Sequence, residues 1–369
     1  MTTVDTSIPV GGPPADPEQA AEELAGRIFE AGLAAVELAT VHLGDRLGLY
    51  RALADNGPLT AADLARVAGI APRYATEWLE QQACAGILAV DDPANESDRR
   101  RYTLPAGCEA VLLDPESPAY VLPLADLSQI IPPVMSSLVG AYRTGAGVPY
   151  ADYGFHDIQA ALNRPVFRTL LADEWIPAIP DVHARLRDGG RAIEFGCGEG
   201  WAAIAIAAGY PTATVAGFDL DDASIAAARR HAAEAGAADR VQFEVADVAG
   251  LPADDRYDVA FCFEMLHDLA RPVEALQVAR RLTAGGPVIV MDERVGDRFT
   301  APGDPLERFF YGASVLHCLP VGMAEQPSAA TGTVMRPDTL RRYAREAGFT
   351  DISELDIEHP MFRFYRLQG

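Results

Sequence analysis

The chain has 369 residues, 53 acidic and 30 basic side chains and a formal net charge of −23, and every basic residue is an arginine. That charge argues against binding to a nucleic-acid backbone or an anionic bilayer, and the absence of lysine rules out lysine Schiff-base chemistry. With 49% hydrophobic residues, the length predicts two domains, each able to bury a core.

Residues 1–16, rich in Gly, Pro and Thr, predict a disordered arm. Pro17 opens an Ala/Glu/Leu pattern reaching about Asp55, with Leu24, Ile28, Phe29, Leu33, Val36 and Leu38 at helical spacing. Gly44 and Gly48 interrupt it, so two helices are expected. Thr60 caps a helix over Ala61–Ala68 that Gly69 ends, and another starts near Pro72 with Tyr74, Trp78, Leu79 and Gln82. G-I-L-A-V and R-R-R-Y-T-L then read as a hairpin, which completes a winged helix-turn-helix over residues 17–110. Residues 111–185 are apolar and broken by proline, and read as connecting helices that cover a pocket. The uncharged run there, Leu127 to Tyr142, is too short to span a bilayer and contains Pro132-Pro133. The start of the chain has no signal-peptide pattern, and its five scattered cysteines form no C-x-x-C pair, so a cytoplasmic location and no structural metal are expected.

From residue 186 to 369 the pattern changes. R-A-I-E-F, A-T-V-A-G-F, V-Q-F-E-V, V-A-F-C-F and P-V-I-V-M are short apolar runs, with Ala-rich helical sequence between most of them. D-I-S-E-L-D-I-E and M-F-R-F-Y-R-L add two alternating strands at the end. The expectation is an α/β fold with a doubly wound, mostly parallel seven-stranded sheet.

Glu194-Phe195-Gly196-Cys197-Gly198-Glu199-Gly200 follows the first of these strands directly and precedes the helix W-A-A-I-A-I-A-A-G. Glycines there let the chain turn sharply and a ligand approach the backbone and the helix N-terminus. The second strand ends at Asp219, where a carboxylate can accept from two ribose hydroxyls, and the third at Asp247, which can face an adenine edge. A bare strand–helix turn and a dinucleotide site are the other readings, but the spacing is not G-x-G-x-x-G.

Three acids at three successive strand ends resemble the class I S-adenosylmethionine (SAM) methyltransferases, over about Gly189 to Leu367. The resemblance implies that Glu194 lies near the methionine part of SAM, with Gly196, Cys197 and Gly198 beneath it. It further implies that Asp219 binds ribose, Leu220 packs on adenine, and Asp247, Val248 and Phe263 frame the rest of the cofactor site.

After the fourth strand, Phe263-Glu264-Met265-Leu266-His267-Asp268-Leu269 is similar to the L-H-D segment that carries the catalytic histidine of plant-type small-molecule O-methyltransferases. On that resemblance His267 is a general base oriented by Asp292, at the end of the fifth strand. It could instead border the cofactor pocket, and Leu269 stands where those enzymes have an aromatic residue. Glu174 or Glu264 is the candidate base for a carbon acceptor. Tyr153, Asn163, Arg164 and Trp175 in the cover, and His317 in the insert after the fifth strand, are candidate substrate contacts. Arg164 with Arg168 could grip an anion or make plain salt bridges.

A winged helix is also a DNA-binding layout. The second helix carries Arg73 against Glu77 and Glu80, an acidic surplus, so the module is expected to dimerise. The whole chain thus reads as a homodimeric SAM-dependent enzyme of secondary metabolism, acting on a small, apolar or aromatic metabolite, with no nucleic-acid or membrane partner. The alternative is a SAM-binding regulator without turnover.

Overall fold

The structure is a computed structural model that describes residues 16–154, 156–252 and 256–369. All but the last residue of the expected N-terminal arm lies outside the described residues. The described chain divides into two compact units, residues 16–132 and 133–369, so the expected cover segment is split between them.

In the first unit, Asp16 caps helix α1, Pro17–Arg46, by accepting from the Glu18 N–H at 2.9 Å. The helix passes through Gly44 and breaks only at Gly48, where φ is +66° and helix α2, Leu49–Asn56, begins. Gly44 is therefore no helix breaker. A Cβ there would collide with the Trp78 ring, and the Trp78 indole donates to the Thr40 carbonyl one turn back, at 3.1 Å. Thr60 accepts from the Asp63 N–H and starts α3, Ala61–Ala68; α4 is Pro72–Cys84. The wing is short: β1, Ala89–Val90, pairs antiparallel with β2, Tyr102–Thr103. Leu49, Leu53, Leu64, Leu79 and Tyr102 form the core. On α4, Arg73 pairs with Glu77, and Arg100 reaches Glu80 at 2.7 Å. Leu24, Ile28, Phe29 and Val36 of α1 are exposed.

Helix α5, Glu109–Leu112, and a 3-10 turn, Leu122–Asp126, lead into α6, Leu127–Thr144, within which the division falls. Turn and helix join into 23 continuous residues, 122–144. That corrects the sequence expectation: the stretch is long enough by length alone to cross a bilayer, at about 20 residues.

In the second unit, α7, His156–Val166, continues without a break into a π-helical stretch, Phe167–Trp175, followed by α8, Pro180–Arg187. The sheet then forms from β3, Arg191–Phe195; β4, Thr214–Asp219; β5, Val241–Val245; β6, Val259–Phe263; and β7, Val288–Glu293. Two strands close it, β8, Asp351–Glu354, and β9, Phe362–Gln368. The order is β5-β4-β3-β6-β7-β9-β8, parallel except at β9, which runs antiparallel to both neighbours. Every residue of β6 and β7 is buried, as central parallel strands covered on both faces require.

Helices α9, Trp201–Gly209, α10, Asp222–Glu234, α11, Pro272–Leu282, and α14, Pro337–Glu346, belong to this unit. Ala202 to Ala207 of α9 are all buried, so that helix shows no apolar stripe. Between β5 and β6 the described residues contain only a 3-10 turn, Val248–Gly250. The insert after β7 holds α12, Pro305–Ala313, a second π-helical stretch, Ser314–Cys318, and α13, Leu319–Gly322.

Candidate active site

The order of the strands reverses between β3 and β6, the position where open α/β sheets bind ligands at their carboxyl ends. The loop after β3 uses its glycines there: φ is +64° at Gly196, +49° at Gly198 and +81° at Gly200. At Gly200 a Cβ would also meet the Phe243 ring. Asp219 ties this loop to β4, its carboxylate accepting from the Gly198 N–H at 2.8 Å and the Asp221 N–H at 3.0 Å.

A cavity of about 420 Å³ opens at these strand ends, within the size range of small-molecule sites, about 300–1,000 Å³. Glu194, Gly196, Cys197, Gly198, Asp219, Leu220, Val248 and Phe263 line it. Asp247 does not. It caps the turn over the Ala249 N–H at 2.9 Å and pairs with Arg271 at 2.5 Å, while its neighbours Ala246 and Val248 reach the cavity.

The wall fits SAM on three observations. Glu194 is 3% exposed and its Oε2 has no hydrogen-bond partner, an orphan that a cationic group would satisfy. Burial, with the Asp219 charge beside it, pushes this carboxyl up to about 8. Leu220 is 62% exposed and offers an apolar shelf to a flat ring. The N-terminus of α9 meets the glycine loop, where its free amides suit a carboxylate.

Glu264 follows β6 with φ +50°, a conformation that a non-glycine residue adopts at a cost and that concentrates at functional sites. Its carboxylate lines the cavity and accepts from the Asn163 amide at 2.6 Å. Burial pushes it up to about 7, against the pull of the His267 charge and the Asn163 bond.

His267 lies elsewhere. It is 2% exposed and does not line the cavity. Its Nδ1 is 3.0 Å from Asp292 Oδ1 and 3.2 Å from Glu293 Oε2; its Nε2 is 3.4 Å from Asp268 Oδ1. Burial opposes its charge, but Glu293, Asp292 and Asp268 outweigh burial and raise its pKa well above that of a free histidine. Burial likewise opposes the charge on Asp292, yet His267 holds that carboxyl below its usual range, while burial pushes Glu293 well up. Among these carboxyls the protonated form of His267 is favoured, and the imidazole, expected as a base or as a border of the cofactor pocket, is not on the cavity wall. His267, Asp292 and Glu293, and separately His267, Asp268 and Cys318, lie close enough to share a metal ion; no spacing in the sequence brought either set together.

The cover residues divide. Asn163 lines the cavity, joined by Tyr150, Gln159 and Val321, which no local pattern marked out. Four other cover and insert candidates, and Glu174, do not line it. Tyr153 is buried, with its hydroxyl donating to the Leu316 carbonyl at 2.9 Å and its ring 4.6 Å from that of His317, itself buried. The Arg164 guanidinium lies over the Trp201 ring at 4.6 Å. Trp175 packs into the sheet core against Phe364 and Phe167. Glu174 is exposed, which leaves no geometric ground for it as a base.

Two family profiles match the chain: a methyltransferase domain over residues 186–317 and an Rv2258c-like winged HTH domain over residues 34–114. The ubiquinone biosynthesis O-methyltransferase of Nitrosospira multiformis is 31% identical over 180 residues, 47% of this chain and 68% of that protein. An O-methyltransferase family protein from Burkholderia thailandensis superposes with a TM-score of 0.66 at 17% identity, over 93% of this chain and 97% of the other. PigF, solved with S-adenosylhomocysteine (SAH), superposes with a TM-score of 0.68 at 20% identity, over 96% and 100%. These matches favour an enzyme over a regulator. The chain belongs to the class I SAM-dependent methyltransferases that carry an N-terminal winged-helix domain.

Proposed function

We propose that this protein transfers a methyl group from SAM to a hydroxyl of a small, apolar or aromatic metabolite, and that Glu264 takes the hydroxyl proton. The carrying observation is the position of Glu264: a carboxylate on the cavity wall, in a strained backbone conformation, with burial pushing its pKa up to about 7. A base works best when its pKa lies near the working pH. SAM, when bound, supplies an electrophilic methyl group on a positively charged sulfur. Glu194, Asp219, Leu220 and the glycine loop hold the cofactor. Asn163 fixes the Glu264 carboxylate through its 2.6 Å bond. With SAM bound, Glu264 would take the hydroxyl proton as the C–O bond forms and the methyl–sulfur bond breaks, SAH being the leaving product, and the cavity wall would supply alignment for this in-line displacement. His267 stays protonated behind the wall. The relative from Nitrosospira multiformis, named as an O-methyltransferase, supports oxygen as the acceptor.

The exposed α1 stripe of Leu24, Ile28, Phe29 and Val36 supports a homodimer formed through the first unit, and the scattered cysteines without a C-x-x-C pair support a cytoplasmic location. Labelled SAM with catechol as probe acceptor tests the reaction. Glu264→Gln should lose about 100-fold or more in transfer rate, with SAM affinity within about threefold. Transfer at the parental rate would overturn the assignment.

A further inference from the structure

The cavity wall carries six carboxyl groups: Glu194, Glu199, Asp219, Asp221, Glu264 and Asp268. Among the described residues it carries no arginine and no histidine, and the chain has no lysine. Three cations near the wall are engaged, and the Arg230 charge acts on Glu199 from off the wall. His267 is divided among Asp292, Glu293 and Asp268. Arg164 lies over one side of the cavity residue Trp201, and His231 stacks on the same ring at 4.4 Å while approaching Glu199 at 3.7 Å.

The other polar groups on the wall are neutral. Gln159 and Asn163 are amides, and burial pushes the Tyr150 phenol far above its ordinary ionisation range. Asn163 is already bound to Glu264. Glu194 Oε2 accepts no hydrogen bond, and Asp268 Oδ1 has only the His267 ring at 3.4 Å. Burial raises Glu194, Glu199 and Glu264, to about 8, 7 and 7, so around neutral pH these acids already resist carrying negative charge, and an added anion finds no positive group among them.

We propose that this wall selects the methyl acceptor by charge, admitting neutral and cationic acceptors and rejecting those that bear a carboxylate or a phosphate. The inference rests on the methyl-transfer reading above and adds the class of substrate. An anion entering a low-dielectric site lined by carboxyls meets repulsion with no compensating donor charge. A cation relieves the same repulsion. The cofactor is admitted on equal terms, because its sulfonium and ammonium outweigh its one carboxylate. The arginine pair that could have gripped an anion is absent from the wall: neither Arg164 nor Arg168 lines the cavity.

Isothermal titration of the full-length protein loaded with SAH, at neutral pH, tests this with three probes that share one ring: catechol, dopamine and 3,4-dihydroxybenzoate. Catechol and dopamine should bind at least about tenfold more tightly than 3,4-dihydroxybenzoate. Equal or tighter binding of the carboxylate overturns the proposal, as does failure of both catechol and dopamine to bind at about 10 mM. Glu264→Gln combined with Asp268→Asn should narrow the ratio to within about threefold; an unchanged ratio overturns the assignment to these acids. Replacing SAH by labelled SAM separates the two readings. Binding in the expected order without methyl transfer contradicts the reaction proposed above and leaves charge selection standing. Transfer to all three probes at equal rate contradicts charge selection alone.

Discussion

At the carboxyl ends of the central strands the second unit holds two groups of acids that are balanced in opposite ways. Glu194, Asp219 and Glu264 face the cavity, their hydrogen bonds come from backbone amides or from the neutral Asn163, and burial pushes their carboxyls toward the protonated form, at Glu264 against the pull of the His267 charge. Asp292, at the end of β7, faces His267 instead, which holds its carboxyl below the usual range, while burial still raises the adjoining Glu293. A carboxylate whose partner is left to the ligand becomes a binding or proton-accepting group; one whose partner is supplied by the fold becomes part of the scaffold. On the reading proposed above, His267 belongs with Asp292, as a fixed cation in its L-H-D segment.

The largest break between the groups should come from Asp292→Ala. Removing one partner from a buried ion pair costs about 3–5 kcal/mol, read as a drop in unfolding free energy in urea, while SAM affinity of the folded protein stays within about threefold. A loss under about 1 kcal/mol would show that the imidazolium is not held there. Asp219→Ala should do the reverse. SAM affinity should fall about 100-fold, near 2.7 kcal/mol, by calorimetry, and stability should change far less.

The pH dependence separates the groups further. The Glu194 carboxyl has an ordinary value of 4.5 and a folded value of about 8. A carboxyl raised on folding contributes stability that is fully present below its unfolded value and is lost as pH rises through its folded value. The ligand-free protein should therefore lose thermal stability between pH 4.5 and about 8, and Glu194→Gln should flatten that fall. Parallel curves would contradict the assignment. The smallest effect is expected at Glu174, exposed and off the cavity wall: Glu174→Ala should leave stability within about 0.5 kcal/mol and methyl transfer unchanged.

The sheet and the glycine loop were legible because each strand is a short apolar run with its acid or glycine at the end, a local signal. The cover was not. Helical spacing assigns faces at 3.6 residues per turn, but Phe167–Trp175 and Ser314–Cys318 are π-helical and turn at a different pitch. Trp175 and His317, read as substrate-facing, lie in those stretches and are buried away from the cavity, and Glu174 beside them points to solvent. The state of His267 depends on Asp292 and Glu293, 25 and 26 residues away on β7, and only the parallel pairing of β6 with β7 brings them together. Gly44 shows the same limit in the first unit: its reason is the Trp78 ring across the fold, not the local helix.

The most direct test is the protonation state of His267. Nitrogen-15 NMR of histidine-labelled protein, with the His267 signal assigned by loss in His267→Gln, reads both ring nitrogens as pH is varied around neutrality. The account predicts an imidazolium pattern that persists from below to above neutral pH. A neutral imidazole, or a transition near the free value of 6.5, would return His267 to the role of base and contradict the assignment of that role to Glu264.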